Sequence, residues 1–428
     1  MLDSVQGYVV RCPYRAGVCL PQNKSEVLAM KKQAAAILLA MTLLAGCARS
    51  PAQSSPDLFD LSEPEEQSTA LRMVTGAAKG TQGAYILHNS PDGNFRSILF
   101  VEAATHTAEP VCSREGCAHN DESCSAWLPG YPQSQFLFTL GGRLYIGQTR
   151  EESCVWEAGE NGEERRLLFQ LSENQTLLDA EMAADDQYLY FQVIEENMEL
   201  GEYRRFLYRC DLQTGSLKRL RTMKENEDLI GTLNGQLLIT QFADDITASP
   251  SDNETWLEAW RRVVVELYTV STEGARSAEP LCSWRESEQR VAMSGSLFYQ
   301  FNGVQGTLTV TDLATGEEQT VQDERLRDVY DFWIEAPAAG GAVLTMASRD
   351  QSQHWWYLYH DGELRESRYE YRGLDRDVQQ NLILADLGDW YLVNRSRGQD
   401  YVLVRSQDYW ADAGPEQDVP VTIVAAGE

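Results

Sequence analysis

The sequence predicts an all-β fold, a β-propeller of seven blades, and two observations predict it. A turn residue followed by a short aromatic and aliphatic strand recurs seven times, at Gly83 to Leu87, Gly142 to Ile146, Asp186 to Phe191, Asn234 to Ile239, Gly295 to Tyr299, Gly340 to Leu344 and Asp389 to Val393. Counted from Tyr85, Leu144, Leu189, Leu237, Leu297, Val343 and Tyr391, the restarts lie 59, 45, 48, 60, 46 and 48 residues apart. A restart every forty-odd residues, each unit holding several short strands, is the period of a propeller blade. At 428 residues the chain also exceeds what one ordinary core supports, which favours an architecture that grows by adding units. The segments Ala70 to Val74 and Val419 to Val424 leave the count open to six or eight, since they can join as one closing blade or start another.

Residues 1–29 carry neither an amphipathic period nor a repeat and read as an extension ahead of the true start, the alternative being a genuine long n-region that Arg11, Arg15 and Lys24 keep basic. Residues 30–46 then form a complete signal peptide. Met30-Lys31-Lys32 supplies the basic start, and Ala34 to Leu44 is an apolar run too short to span a bilayer as a mature helix. The run ends in Leu44-Ala45-Gly46-Cys47, which resembles the bacterial lipobox. That resemblance implies cleavage before Cys47 and attachment of diacylglycerol to its thiol. Residues 47–69 are then the lipidated cysteine and a tether rich in Ser, Pro and Glu, and residues 70–428 the propeller.

The formal charge is -29; removing residues 1–46 takes away five Lys/Arg and two Asp/Glu, leaving 31 minus 63, or -32. Such a surface repels phosphate backbones, so nucleic acid is excluded as a partner. Within the repeats, Asp211-Leu-Gln-Thr-Gly215 and Asp312-Leu-Ala-Thr-Gly316 each follow an apolar strand. The aspartate can accept backbone N–H bonds two and three residues on, and the glycine supplies the positive φ that closes the hairpin. Weaker versions stand at Ser271 to Gly274 and His360 to Gly362. These hairpins resemble those of quinoprotein-like and WD-like propellers, and the layout over residues 70–428 resembles propeller lipoproteins of clostridial bacteria. The tryptophan that follows the turn in quinoprotein repeats is missing, so the resemblance implies no quinone cofactor. His354-Trp-Trp-Tyr-Leu-Tyr359 fits a central strand buried on both faces between stacked blades.

Two long units locate insertions. The 60-residue unit carries residues 244–262, where Ser251 or Asp252 can cap a short helix with Trp256, Leu257 and Trp260 on one side. Trp256 and Trp260 are the candidate ligand contacts there, with covering of a blade edge as the competing role. The 59-residue unit holds Cys112-Ser-Arg-Glu-Gly-Cys117-Ala-His119-Asn-Asp-Glu-Ser-Cys124. Cys112, Cys117, His119 and Cys124 supply the four soft or borderline donors that a tetrahedral structural zinc requires. The spacing is not that of a familiar zinc finger. Besides Cys47, six cysteines follow the signal peptide, an even number that equally permits disulfides, with Cys112 joined to Cys117 or Cys124 as the local choice.

No Gly-x-Ser-x-Gly elbow, Walker loop, His-Glu-x-x-His or dinucleotide fingerprint occurs, so no nucleotide cofactor is expected. The reading that follows is a lipoprotein held at the extracytoplasmic face of the cell membrane, whose non-catalytic propeller binds a protein or glycan. Two alternatives stay open: an extracellular carbohydrate-active propeller enzyme using scattered carboxylates, and metal or redox sensing through the Cys/His loop.

Overall fold

The computed structural model describes residues 71–424 apart from short internal stretches, the longest being 244–257 and 372–378. The signal peptide, Cys47, the tether, and both Trp256 and Trp260 lie outside the described residues. Among the described residues no helix is long and apolar enough to cross a membrane.

Seven antiparallel sheets form seven blades. Blade 5 is the plainest: Gln289–Ser294, Leu297–Asn302, Thr307–Asp312 and Glu318–Gln322 pair in chain order from the axis outward. Every restart phrase is the second strand of its blade, as in Gly83–Asn89, Tyr188–Asn197 and Trp390–Asn394. An inner strand precedes each phrase, and the sequence hides it where it is short. In blades 1 and 3 it is only Ala78–Lys79 and Ala183–Ala184.

The second strand is apolar at successive positions because its two faces meet two different blades. Leu189, Phe191 and Val193 of blade 3 pack on Phe138 and Leu168 of blade 2, while Tyr190 between them packs on Leu229 and Leu237 of blade 4. The same division runs round the ring. Apolar clusters fill the junctions of blades 1 and 2, 2 and 3, 3 and 4, 4 and 5, 5 and 6, 6 and 7, and 7 and 1. A closed ring of seven needs seven such junctions. Each large side chain buried there, Tyr299 and Phe301 among them, contributes roughly 1.5–3 kcal/mol through apolar burial.

The hairpin turns work as their side chains dictate. Asp211 Oδ1 accepts from the backbone N–H of Gln213 and of Thr214 at 3.1 and 2.8 Å, and Gly215 closes the loop at φ 71°. Asp312 Oδ1 accepts from Ala314 N–H at 2.9 Å, with Gly316 at φ 78°.

The two terminal segments do not join each other or start an eighth blade. Arg72–Met73 lies inside the ring, antiparallel to the inner strand of blade 3, with Leu71 and Val74 buried beside it. Val419–Pro420 is the outer strand of blade 7, and Thr422–Ile423 adds in parallel to Thr107–Pro110, the outer strand of blade 1. The C-terminal stretch thus bridges the seam between the last blade and the first. Since Arg72–Met73 runs against the inner strands, the chain enters from the face that carries the tight turns. The second strands end, and the inner strands begin, at the opposite face.

Candidate metal centre

The cysteine segment interrupts the outer strand of blade 1. Phe95–Glu102 pairs with Thr107–Pro110 along one stretch and with Trp127–Pro129 along the next, so the two short strands are one edge broken by residues 111–126. Both ends of the excursion are held by one residue. Val111 N–H donates to the Ile98 carbonyl at 2.9 Å, and Ile98 N–H donates to the Ala126 carbonyl at 2.8 Å. The result is a compact loop with its ends together. It sits against blade 2, where Val111, Cys117, Cys124 and Ala126 join Leu144 and Ile146 in one apolar cluster.

Inside the loop, turns aim the donors inward. Cys117 N–H bonds the Arg114 carbonyl at 3.2 Å, and Cys124 N–H bonds the Asp121 carbonyl at 3.0 Å. Gly116 stands at φ 69°, open to it without strain, whereas His119 is held at φ 54°, the left-handed region that costs a side-chain-bearing residue about 1–3 kcal/mol. The consequence is convergence. One ligand atom from each of Cys112, Cys117, His119 and Cys124 lies within 4.8 Å of every other, and His119 Nδ1 is 3.2 Å from Cys124 Sγ. A tetrahedral zinc with Zn–S of about 2.3 Å sets sulfurs about 3.8 Å apart, so the donor set fits that ion. All six described cysteines are free thiols. Cys154, Cys210 and Cys282 are scattered over blades 2, 3 and 4, and burial pushes the thiols of Cys154 and Cys210 up to about 12 and that of Cys282 to about 11.

Electrostatics pulls the Cys112 and Cys124 thiols in opposite directions. Burial alone raises the Cys112 thiol, but hydrogen bonds from the Arg114 backbone, the Ser125 hydroxyl and the neighbouring thiols bring it down to about 7. Cys124 is pushed up to about 12 by burial, against the pull of the Ala126 N–H at 3.3 Å, so a metal would have to displace its proton. Burial, then the Arg114 charge, lowers His119 and keeps its imidazole neutral, the form that ligates. The Arg114 guanidinium reaches Cys117 Sγ at 3.0 Å and the Ser123 carbonyl at 3.1 Å.

A second guanidinium stands behind the loop. Arg165, from the third-to-fourth-strand connection of blade 2, donates to the carbonyls of Ser125 and Trp127, and its charge faces Cys124 with no carboxylate beside it among the described residues. Burying a cation without a counter-charge is costly, and thiolates supply one. Three thiolates and a divalent ion leave one net negative charge, which two guanidiniums can offset. A disulfide would leave Arg165 without that compensation.

Of the residues singled out in the sequence, the structure brings Cys112, Cys117, His119 and Cys124 together. Sequence reasoning missed Arg114 and Arg165. Arg114 was in view inside the motif, but nothing in the chain marks Arg165 as its companion, because a long-range blade contact joins them.

A cleft of about 610 Å³ opens beside the loop, between blades 1 and 2. Glu122 and Trp127 line it from the loop side, Gln148, Glu152, Trp156 and Arg165 from blade 2.

No family model matches the chain, and no curated protein matches it. Solved structures do. An acylaminoacyl peptidase of Pyrococcus horikoshii is 10% identical, with a TM-score of 0.49 over 82% of this chain, which spans 52% of the peptidase. The β-propeller domain of the Trilobed protease from Pyrococcus furiosus, described as having an open velcro topology, is 10% identical, with a TM-score of 0.44 over 78% of this chain and 93% of that domain. An oligogalacturonate lyase in complex with manganese is 10% identical, with a TM-score of 0.42 over 78% of this chain and all of the lyase. At such identity the likeness concerns the propeller fold alone.

Proposed function

We propose that the protein is a lipid-anchored, extracytoplasmic propeller that works by binding, and that one structural zinc held by Cys112, Cys117, His119 and Cys124 fixes a loop on the blade 1 edge. The convergence of four protein donors carries this reading. A closed set of four is the mark of a structural zinc, whereas catalytic zinc keeps an open position for water or substrate. Placement in the junction of blades 1 and 2 agrees with that role, since the ion would pin the loop to the blade it packs against.

The anchor rests on Leu44-Ala45-Gly46-Cys47 and on the tether after it. Entry of the chain through the tight-turn face supports a disc that turns its opposite face away from the membrane. An acidic surface at -32 after cleavage, 31 Lys/Arg against 63 Asp/Glu, fits a soluble head outside the cell, and the absence of a common catalytic motif favours a partner or ligand over a substrate.

Native mass spectrometry of the chain purified without chelator or reductant tests the metal. One added zinc that disappears in Cys117→Ala is expected. A metal-free mass lower by two hydrogens per bridge would make the loop a disulfide staple instead. For the anchor, Cys47→Ala should move the protein from the membrane fraction to the soluble one; unchanged membrane association overturns that part.

A further inference from the structure

We propose that the cleft beside the metal loop binds a small organic cation, an alkylammonium group carried by a ligand that enters between blades 1 and 2. The volume of about 610 Å³ suits a small molecule. Trp127 and Trp156 each bury part of the indole in the cluster beneath and leave part facing the cleft. Aromatic faces carry negative potential and attract cations, tryptophan most strongly.

Two carboxylates share the same space. Glu122 comes from the loop between His119 and Cys124, and Glu152 from the connection between the second and third strands of blade 2. No guanidinium or ammonium pairs with either among the described residues. The cleft does contain Arg165, but its terminal nitrogens donate to the carbonyls of Ser125 and Trp127 and its charge faces the sulfur of Cys124. Gln148 Nε2 likewise turns to the Glu152 backbone carbonyl at 3.2 Å.

Apart from the buried Nε of Arg165, the polar groups this leaves for a ligand are chiefly the two carboxylates, which share the cleft with the two indoles. A polyol needs donors as well as acceptors, and an anion would meet two carboxylates. A cation satisfies both the rings and the acids. It also follows the long-range field of a strongly acidic chain, which raises the local concentration of cations.

The proposal rests on the metal reading for one wall only, because Glu122 and Trp127 stand on or next to the loop while Glu152 and Trp156 belong to blade 2. The test is calorimetric titration of the full metal-loaded chain with choline, and with its neutral isostere 3,3-dimethylbutan-1-ol, after metal content has been measured. Saturable binding of choline is expected, with no binding of the isostere. Glu152→Gln, an exposed and conservative change, should weaken it about tenfold, and Trp156→Ala should abolish it; thermal unfolding of the latter checks that the blade has stayed folded.

Equal binding of the isostere, competition by neutral sugars, or no saturable binding to zinc-loaded protein each overturns the cation site. A chain found to lack metal that still binds choline in a Glu152-dependent way removes the zinc and keeps the cleft. Loss of both metal and binding removes both readings.

Discussion

The outer edges of blade 1 and blade 5 solve one problem in opposite ways. In blade 5 the last hairpin, from Thr307–Asp312 to Glu318–Gln322, closes on its own turn, with Asp312 accepting the backbone donors that the reversal exposes. In blade 1 the edge strand is opened by residues 111–126, and no hairpin turn holds the excursion. Four donors converge there instead, around the space of one ion. A turn satisfied by its own side chain is independent of conditions outside the chain, whereas a loop whose donors close on an ion would take its order from metal supply.

That contrast is broken most directly at the four converging donors, by withdrawing any ion they hold or by removing one of them. Chelation, or Cys117→Ala, is expected to lower the local stability of residues 111–126 by more than about 4 kcal/mol, as loss of a structural metal does, read as a rise in amide exchange there. Blade 5 should keep its protection in the same experiment. A uniform loss round the ring would mean that the loop is no separate unit.

A cavity placed away from the loop sharpens the comparison. Leu344 is fully buried between blades 5 and 6, and Leu344→Ala should cost about 2–5 kcal/mol in denaturant unfolding without changing zinc stoichiometry. Arg165→Gln comes next. It removes the charge behind Cys124 while leaving the four ligands, and should reduce zinc affinity roughly tenfold or more in a chelator competition, the usual range for an outer partner of a metal site.

The smallest effect belongs to the turn. Hydrogen bonds from the Ala314 backbone, the Ser296 and Thr315 side chains and the Thr315 backbone outweigh burial and hold the Asp312 carboxyl below its ordinary value. A depressed folded value means stability that is present above the unfolded carboxyl range and lost as pH falls through the folded one. Asp312→Asn should cost under about 1 kcal/mol, since the group is open to solvent, and should flatten the acid limb of the stability profile. An unchanged acid limb would deny the carboxylate its part in the turn.

What the sequence made legible follows the same physics. A strand packed on both faces must be apolar at consecutive positions, so Leu189, Tyr190 and Phe191 announced a blade centre, and their recurrence announced a ring. A two-residue inner strand such as Ala183–Ala184 carries no such pattern. Its place is set by neighbours that lie elsewhere in the chain. Local spacing likewise exposed the four candidate ligands but not Arg165, nor the cleft, which exists only because blade 2 stands behind blade 1. Gly340 read as a turn, and its φ of 73° agrees. Gly341 has a second reason that no local pattern reveals: a Cβ there would lie 2.1 Å from the ring of Trp410, carried by the short helix Ser406–Trp410 that follows the third strand of blade 7.

The four residues Thr107–Pro110 carry two fastenings at once. On one side they take the C-terminal clasp, where Thr422 N–H reaches the His106 carbonyl and Val424 N–H the Ala108 carbonyl, each at 2.9 Å. At their end begins the excursion to Cys112. The rivet that would hold the rim and the latch that shuts the ring therefore share a single short hinge-pin, and slack in one is felt first by the other.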